Sequence, residues 1–324
     1  MPTVLVTGGA GYLGAHACLA LSHAGFTPVA FDDLSNGHRE HVQWGPLEVG
    51  DINDGGRLED VFGKHRPVAV LHFAARIEVG ESTRDPGPFF RTNVGGTITL
   101  IEAARRAGVD ALVLSSTCAT FGDPVFLPMD ETHPQQPLNP YGRSKLMVEQ
   151  LLTDYARYAG FRSTVLRYFN AAGADLEGRI GEWHEPETHA IPLALQVALG
   201  RRDRFTIFGE DYDTRDGTAL RDYVHVLDLA DAHVLALRRL LAGGGSTAYN
   251  LGTGAGTTVR ELIQGVERVT GRSLPVNVAP RRDGDAPVLV ANSVKAEAEL
   301  GWKATRDLDT ILTSAWRWHR AQGV

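Results

Sequence analysis

The chain has 324 residues, of which 43% are hydrophobic, so it is long and apolar enough to bury the core of one large domain or of two closely joined ones. Its formal net charge of -7, from 39 acidic and 32 basic residues, gives no positive field for phosphate backbones or anionic membranes. We therefore expect neither a nucleic acid nor a membrane as partner. The N-terminal apolar run is too short for a signal sequence, which favours the cytoplasm, and the two cysteines lie in apolar stretches and predict no disulfide.

Short apolar runs alternate with amphipathic segments over the first 170 residues. This alternation predicts an α/β fold, a doubly wound parallel Rossmann sheet whose strands are joined by crossover helices. After residue 170, glycine, proline and charged clusters interrupt shorter elements. We interpret residues 1–170 as a Rossmann domain and residues 171–324 as a smaller substrate-shaping lobe, with an approximate boundary and with elements that can interleave. The predicted strands are 4–7, 29–32, 68–73, 111–115 and 164–168, and the predicted helices are 12–24, 94–107, 141–158 and 191–199.

A glycine-rich turn follows the first predicted strand and opens the first predicted helix. Its glycines are Gly8, Gly11 and Gly14, with Tyr12 and Leu13 between the last two. Glycine is needed there because the backbone turns tightly, approaches a pyrophosphate and packs helix closely against strand. The strand, the helix and an acid at the end of the second strand together predict a dinucleotide site.

The acid at the end of the second strand predicts which dinucleotide binds. Asp32 can accept hydrogen bonds from a free ribose hydroxyl but would repel a 2′-phosphate, so NAD is favoured over NADP. Asp33 is the alternative acid, or a turn residue. Asp51 and Ile52 follow the third strand and either reach the adenine or belong to a loop. The later glycine run 252–256 has the wrong spacing, and we interpret it as a loop and helix start capped by Thr257 or Thr258.

Tyr141 and Lys145 stand four residues apart, so on a helix they point to the same face. A nearby ammonium and a positive nicotinamide ring both favour the phenolate, so this tyrosine can act as a base on a sugar hydroxyl. Thr117 follows a strand whose carboxyl end faces the ligand crevice, where a hydroxyl can relay the hydrogen bond or simply cap the strand. Together with the cofactor turn, the Tyr/Lys spacing predicts catalysis.

The segment from His184 to His189 contains two histidines and two glutamates. Pro186 would disrupt a helix, and the spacing is not that of the His-Glu-x-x-His zinc motif. We therefore expect a sugar-facing loop and no metal site.

Several blocks of sequence give the chain a resemblance to the extended short-chain dehydrogenase/reductases, and within them to the 4-epimerases of UDP-glucose. The last three of these blocks are the more specific ones, because they belong to the lobe that binds the nucleotide-sugar. The blocks are residues 6–12, 32–36, 72–75, 79–82, 115–117, 140–145, 166–170, 217 with 221–225, and 281–285.

This resemblance implies interconversion of UDP-glucose and UDP-galactose by transient NAD-dependent oxidation at the sugar C4, in a homodimer that takes a UDP-sugar as substrate. It implies that Tyr141 is the base, that Lys145 holds the ribose and lowers the tyrosine pKa, and that Thr117 relays the hydrogen bond. The implied NAD contacts, besides the residues of the glycine turn, are Tyr12, Leu13, Asp32, Asp33, Leu34, Ser35, Asn36, Gly37, Asp51, Ile52, Phe73, Ala74, Ala75, Arg76, Tyr141, Lys145 and Phe169. The implied substrate contacts are Thr117, Tyr141, Asn170, His189, Phe208, Arg221, Arg282, Asp285 and Leu289.

The sequence departs from the family pattern at three positions. Ile77 stands where a lysine is frequent, Thr92 where an asparagine is frequent although Asn93 is adjacent, and Leu289 where a tyrosine or a small residue is frequent. A UDP-pentose 4-epimerase shares every catalytic residue and remains the alternative. A nucleotide-sugar 4,6-dehydratase would need an acid and a base after Thr117, and a non-catalytic NAD sensor would be expected to lose Tyr141 or Lys145.

Overall fold

The computed structural model describes residues 1–282 and 286–322. The apolar runs of the first half form strands β1 to β6, most of them fully buried. Eight further strands, β7 to β14, are short segments of the second half. In chain order the strands are Thr3–Thr7, Thr27–Asp32, Leu47–Val49, Ala69–His72, Ala111–Thr117, Arg162–Tyr168, Asn170–Ala172, Phe205–Phe208, Leu220–Arg221, Tyr223–His225, Thr247–Leu251, Thr257–Thr258, Val276–Ala279 and Val288–Leu289.

The amphipathic segments form helices α1 to α11 in the described residues. They are Tyr12–His23, Gly55–His65, Val79–Arg84, Gly87–Phe89, Thr97–Arg106, Pro140–Ala159, Ala190–Ala198, Val226–Leu241, Val259–Thr270, Val294–Leu300 and Leu308–Ala321. Two 3-10 turns, Arg39–His41 and Cys118–Thr120, and one π-helical segment, Phe90–Gly96, complete the set. None of these helices combines the length and apolar character needed to cross a membrane.

Seven parallel strands form the central sheet in the order β11-β6-β5-β4-β1-β2-β3. The chain first builds outward from β1 through β2 to β3 and then returns to the other side of β1 with β4. The order therefore reverses between β1 and β4, and in such sheets ligands bind in the crevice at the carboxyl ends of those strands. This arrangement confirms the predicted doubly wound Rossmann sheet.

Helices cover both faces of the sheet. One apolar cluster joins α1 and α8 to one face, with Leu21, Leu237 and Tyr249 buried in it. A second cluster joins α2, α5 and α6 to the other face, with Phe62 and Leu100 buried in it. With both faces covered, the strands lose their polar alternation, which is why they appear in the sequence as continuous apolar runs.

A third apolar cluster packs α7, α9 and α11 around β8 in the second half of the chain. Strand β11 and helix α8 also belong to that half by sequence, yet β11 pairs with β6 and α8 packs on α1. The two halves therefore share one sheet, and the division near residue 170 into two binding units stays a proposal.

The predicted helix over residues 94–107 differs from the structure at its start. The turn begins at Phe90 and is π-helical as far as Gly96, and α5 follows without a break. A π segment carries one more residue per turn than an α-helix and is frequent at functional sites. It turns Asn93 into the protein interior, where that side chain is 2% exposed.

Helix α9 begins with a capping box at Thr258. The Thr258 hydroxyl accepts a hydrogen bond from the Glu261 amide, and the Glu261 carboxylate accepts one from the Thr258 amide. Of the two threonines that the sequence left open as cap, the structure selects Thr258.

The Thr258→Ala variant should unfold at lower urea concentration than the wild type. Loss of the cap leaves helix amides without a partner and costs about 1 kcal/mol of unfolding free energy. Thr257→Ala is the matched control, since it removes the neighbouring hydroxyl and keeps the cap. Equal urea midpoints for the two variants would contradict this assignment.

Candidate active site

The turn between β1 and α1 leaves no room for a side chain at Gly8 or Gly14. Gly8 has a φ of +71°, and a Cβ there would lie 2.7 Å from the amide nitrogen of Ala74. A Cβ on Gly14 would lie 2.0 Å from the carbonyl oxygen of Gly8. Both glycines are therefore required by close contacts between backbones, as the sequence predicted from the turn.

The first helix starts without a side-chain cap. Its N-cap is Gly11, so the first-turn amides of Tyr12, Leu13 and Gly14 have no partner one turn earlier. Such amides, together with the helix dipole, form an anion site suited to a diphosphate. The Tyr12 side chain points away from this end and donates a hydrogen bond of 2.6 Å to the carbonyl of Gly173.

Asp32 is held in place at the end of β2. Its two carboxylate oxygens accept hydrogen bonds from the amides of Ala10 at 3.0 Å and Leu34 at 2.9 Å, and a Cβ on Gly37 would lie 2.6 Å from one of them. Burial raises the pKa of Asp32, and the two amides oppose that shift. The carboxylate is thus oriented and poorly solvated, which suits it to accept a ribose hydroxyl.

Asp33 has a different role in the structure. It is exposed, and its carboxylate accepts hydrogen bonds from the Ser35 amide at 2.9 Å and from the Ser35 hydroxyl at 2.6 Å. These bonds fix the turn 33–35, in which Leu34 adopts a φ of 61°, and Asn36 and Gly37 follow directly. Between the two neighbouring acids, the geometry favours Asp32 as the ribose acceptor.

The predicted adenine contacts lie on opposite sides of the backbone. Asp51 is exposed and accepts hydrogen bonds from the Asn53 amide and side chain, both at 2.8 Å. Ile52 is 5% exposed and packs into the apolar cluster under α2 and α5.

The segment from Phe73 to Arg76 leaves β4 beside the cofactor turn. The amides of Phe73 and Ala74 both donate to the carbonyl of Thr7, and Ala75 follows. Asn93 then fixes Arg76, because its side chain accepts from the Arg76 amide at 2.8 Å and donates to the Arg76 carbonyl at 3.0 Å. The same side chain donates to the Ser144 hydroxyl at 2.9 Å, one residue from Lys145.

Sequence reasoning did not assign Asn93 to the site. The departure from the family pattern at Thr92 was a signal for this turn. The side-chain amide of the neighbouring Asn93 supplies the contacts. Ile77, the second departure from the family pattern, is 40% exposed.

Helix α6 places Tyr141 at its N-terminal end. The Asn139 side chain caps the helix by accepting from the Gly142 amide at 2.8 Å, and Pro140 fills the first helical position. Burial raises the pKa of Tyr141 to about 12, and the hydroxyl of Thr117 opposes that rise. Thr117 ends β5 and also accepts a hydrogen bond from the Ala119 amide at 3.1 Å.

Lys145 lies one helical turn after Tyr141 and is 4% exposed. Within residues 1–282 and 286–322 its ammonium has no hydrogen-bond partner. Burial lowers the pKa of Lys145 to about 8, and the Glu149 carboxylate opposes that shift. A buried ammonium of this kind is set to bind an uncharged oxygen such as a ribose hydroxyl.

Glu149 continues the face of α6 that carries Tyr141 and Lys145. Its carboxylate accepts from the Ser116 hydroxyl at 2.5 Å and from the guanidinium of Arg167 at 2.6 and 3.0 Å. Glu149 is 5% and Arg167 8% exposed. Sequence reasoning missed this ion pair, although the spacing 141, 145, 149 at four-residue intervals was a signal for it.

The predicted substrate contact Leu289 packs against a small apolar cluster that contains Phe121 and Phe169, the latter a predicted NAD contact. The Arg221 guanidinium donates to the carbonyl of Ala286 at 2.9 Å, and Leu289 pairs with Arg221 across β14 and β9.

Four further substrate candidates remain, three of which lie in the described residues. Asn170 opens β7, and its buried side-chain oxygen has no partner among the described residues. Arg282 lies over the ring of Phe208, 4.6 Å from its centroid. Asp285 lies outside the described residues.

The loop before α7 brings together four side chains, three of which belong to the segment predicted as a sugar-facing loop. His189 Nδ1 lies 3.0 Å from Glu182 and 2.9 Å from Glu187, and His184 Nδ1 lies 3.5 Å from Glu182. Glu182, the fourth member, stands outside the segment that the sequence had selected. The loop also reaches the region of Tyr141, since the Thr188 hydroxyl lies 3.3 Å from the Glu78 carboxylate, whose charge acts on Tyr141.

The residues present at the switch point fit a nicotinamide dinucleotide. The cradle formed by Gly8 and Gly14 would be filled by any Cβ, and the start of α1 offers free amides to a diphosphate. Asp32 at one end and Lys145 at the other are buried groups suited to ribose hydroxyls.

Comparisons with known proteins agree with this geometry. The family model described as "NAD dependent epimerase/dehydratase family" matches residues 4–252. The UDP-glucose 4-epimerase of Rhizobium leguminosarum bv. trifolii is 62% identical over 317 residues, which cover 98% of this chain and 97% of the relative.

Two solved structures are similar over nearly the whole chain. The UDP-glucose 4-epimerase of Brucella ovis in complex with NAD has a TM-score of 0.96 and 50% identity, covering 98% of each chain. The UDP-glucose 4-epimerase of Stenotrophomonas maltophila, with bound NAD and formylated UDP-arabinopyranose, has a TM-score of 0.97 and 43% identity, covering 99% of each chain.

The Gly14→Ala variant should be purified with much less bound dinucleotide than the wild type. The added methyl would overlap the Gly8 carbonyl and displace the start of α1 from the turn. Gly63→Ala in α2 is the matched control, because a Cβ there meets no atom within 4 Å. Cofactor extraction and quantification by mass spectrometry makes the comparison, and full occupancy in Gly14→Ala would refute the cradle.

Proposed function

The chain belongs to the NAD dependent epimerase/dehydratase family, and from this premise we propose that it interconverts UDP-glucose and UDP-galactose by transient oxidation and re-reduction at the sugar C4. One observation carries the proposal: Lys145 is buried on α6 at the carboxyl edge of the sheet, one helical turn after the partly buried Tyr141, and Thr117 lies beside that tyrosine. NAD, when bound, would supply the oxidation by accepting a hydride, one proton with two electrons, from C4 and returning it.

Tyr141 is the proposed acid and base. It takes the proton from the C4 hydroxyl during oxidation and returns it during reduction, so the enzyme ends each turnover in its starting state. Burial is the main cause that raises the pKa of Tyr141 to about 12, too high for a base near neutral pH. Two influences lower it in the loaded enzyme: the Lys145 ammonium one turn away and the positive charge of the oxidised nicotinamide.

Lys145 has two proposed roles, both of which follow from its burial. Its ammonium binds the ribose, and its charge stabilises the phenolate. Helix α6 adds to this effect, because Tyr141 stands in the first turn, where the helix dipole favours a negative charge. Thr117 is proposed to pass the hydrogen bond from the sugar hydroxyl to Tyr141.

The nucleotide part of the substrate is proposed to bind in the second half of the chain. Arg221 and Arg282 offer guanidinium groups for the diphosphate, and Phe208 offers an aromatic face. Asn170 and His189 are proposed contacts on the sugar side. Asp285 is proposed on the resemblance alone.

Epimerisation requires the 4-keto sugar to turn over inside the site before the hydrogen returns to the other face. No net oxidation follows, so the cofactor and the intermediate must stay together. This need fits a site built between two parts of one fold, where the crevice is walled by β5, α6 and the second-half strands.

A UDP-pentose 4-epimerase is the second candidate. The structure of the Stenotrophomonas maltophila relative holds a formylated UDP-arabinopyranose, which shows that a closely similar fold accommodates a pentose derivative. Two other functions are disfavoured. Cys118 and Ala119 follow Thr117 where a 4,6-dehydratase needs an acid and a base, and a cofactor sensor would not need both Tyr141 and Lys145.

The assembly and the compartment are also proposals. A homodimer is supported by the resemblance to the extended short-chain dehydrogenase/reductases. We also propose the cytoplasm as the compartment.

Tyr141→Phe should keep the fold and the bound NAD but lose turnover by about 10²–10⁴-fold, the contribution typical of a positioned acid or base. Tyr158→Phe is the matched control, since that tyrosine lies on the same helix and is 74% exposed. A coupled assay of UDP-galactose conversion makes the comparison. Near-normal kcat in Tyr141→Phe would eliminate it as the base.

Leu289→Ser should change which sugars react. Leucine leaves more room beside the sugar than tyrosine but gives an acetamido group no polar partner, so we expect hexoses to react well and N-acetylhexosamines slowly. A misfit in a hydrophobic pocket costs about 1–3 kcal/mol, so serine should raise kcat/KM for the N-acetylhexosamine pair relative to the hexose pair by up to about 100-fold. Leu241→Ser, exposed at the end of α8, is the control. An unchanged ratio would show that residue 289 does not set the pocket size.

A further inference from the structure

The segment between β7 and α7 gathers four potential metal ligands, Glu182, His184, Glu187 and His189. One nitrogen or oxygen atom from each lies within 4.8 Å of the corresponding atoms of the other three. The side chains of both glutamates are 6% exposed, and that of His184 is 16% exposed. Two carboxylates buried this close together require a positive charge between them.

Hydrogen bonds within the cluster account for His189 but not for His184. His184 Nδ1 lies 3.5 Å from Glu182 and 3.8 Å from Glu187, which is too far for effective hydrogen bonds, and this buried nitrogen has no hydrogen-bond partner among the described residues. His189 Nδ1 lies 3.0 Å from Glu182 and 2.9 Å from Glu187. A tetrahedral ion with bonds of about 2.0–2.2 Å separates its ligand atoms by about 3.3–3.6 Å. This spacing lies within the range of these four distances, of which the two to Glu187 are to different oxygens of its carboxylate.

We propose that Glu182, His184, Glu187 and His189 bind one zinc ion. Two imidazole nitrogens and two carboxylate oxygens in a four-coordinate arrangement suit zinc better than the hard cations, which prefer six or more oxygen ligands. The ion would balance the two carboxylates with both imidazoles neutral. Because four protein atoms complete the coordination, the site is structural and not catalytic.

The sequence argued against a metal because Pro186 and the spacing exclude a helical zinc motif. In the fold these residues form a loop that ends where α7 begins at Ala190, so helical spacing is not needed. His189 directs Nδ1 into the cluster while its side chain is 43% exposed, which leaves the rest of the ring open to the proposed substrate.

The position of the cluster indicates a structural role for the ion. Trp183 stacks on His38 with ring centroids 3.9 Å apart, and the ring of His184 packs edge-on to Tyr12, which begins α1. Thr188 contacts Glu78 at 3.3 Å. An ion in this loop therefore fixes the second half of the chain against the cofactor turn.

Metal analysis of the purified protein, without an affinity tag and without chelators, tests the proposal. Mass spectrometry of the digested protein should find about one zinc per chain. His184→Ala and Glu187→Gln should lose the zinc. His65→Ala should retain it, because His65 does not belong to the cluster and pairs instead with Glu48 at 2.6 Å.

Cobalt substitution provides a test that does not depend on whether the variants fold. The wild-type protein, stripped of metal and supplied with Co²⁺, should show the strong visible absorption of tetrahedral cobalt. A wild-type protein that contains no zinc and gives no such absorption with Co²⁺ would overturn the proposal. Zinc retained in full by folded His184→Ala would overturn it as well.

Discussion

The buried contact between Glu149 and the sheet is the constraint on which the rest of the site depends. Its carboxylate binds Ser116 on β5 and Arg167 on β6, so it ties helix α6 to the strand that ends at Thr117 and to the strand that precedes Asn170. A buried charge of this kind costs several kcal/mol when one partner is removed, so the geometry of the helix is tightly enforced. The distance between a base on α6 and a hydroxyl on β5 is set by this tie.

The Glu149 carboxylate also favours the charged form of Lys145, which lies one helical turn earlier on α6. Burial lowers its pKa to about 8, and a second cation, His72⁺, would lower it further. The imidazole of His72 is instead held between the hydroxyls of Thr7 at 2.6 Å and Thr97 at 2.8 Å, and burial, with Lys145 nearby, lowers its pKa to about 3. The protein therefore keeps His72 neutral beside the Lys145 ammonium.

Much of this arrangement was predictable from sequence because local rules dominate it. Apolar runs, the glycine turn and the four-residue spacing of Tyr141 and Lys145 each report on neighbours in the chain, and the strands and helices they predict are observed, apart from the π-helical start of the helix predicted over residues 94–107. Two of the missed features join residues from different elements: Asn93 with Arg76, and Glu149 with Arg167. A sequence pattern does not encode these pairs, because their meeting depends on the packing of whole elements.

The two glycine-rich turns both offer backbone amides to an anion, but one is a candidate ligand site and the other is purely structural. At residues 252–254 the backbone also offers amides to an anion, but the anion is the chain's own Asp222, which is fully buried. Its carboxylate accepts from the amides of Thr253 at 2.8 Å and Gly254 at 3.1 Å, and a Cβ on Gly252 would lie 2.4 Å from it. That turn is filled from within. At the start of α1 the described residues supply no such carboxylate, since Asp32 is bonded to Ala10 and Leu34, and the amides are left for a diphosphate.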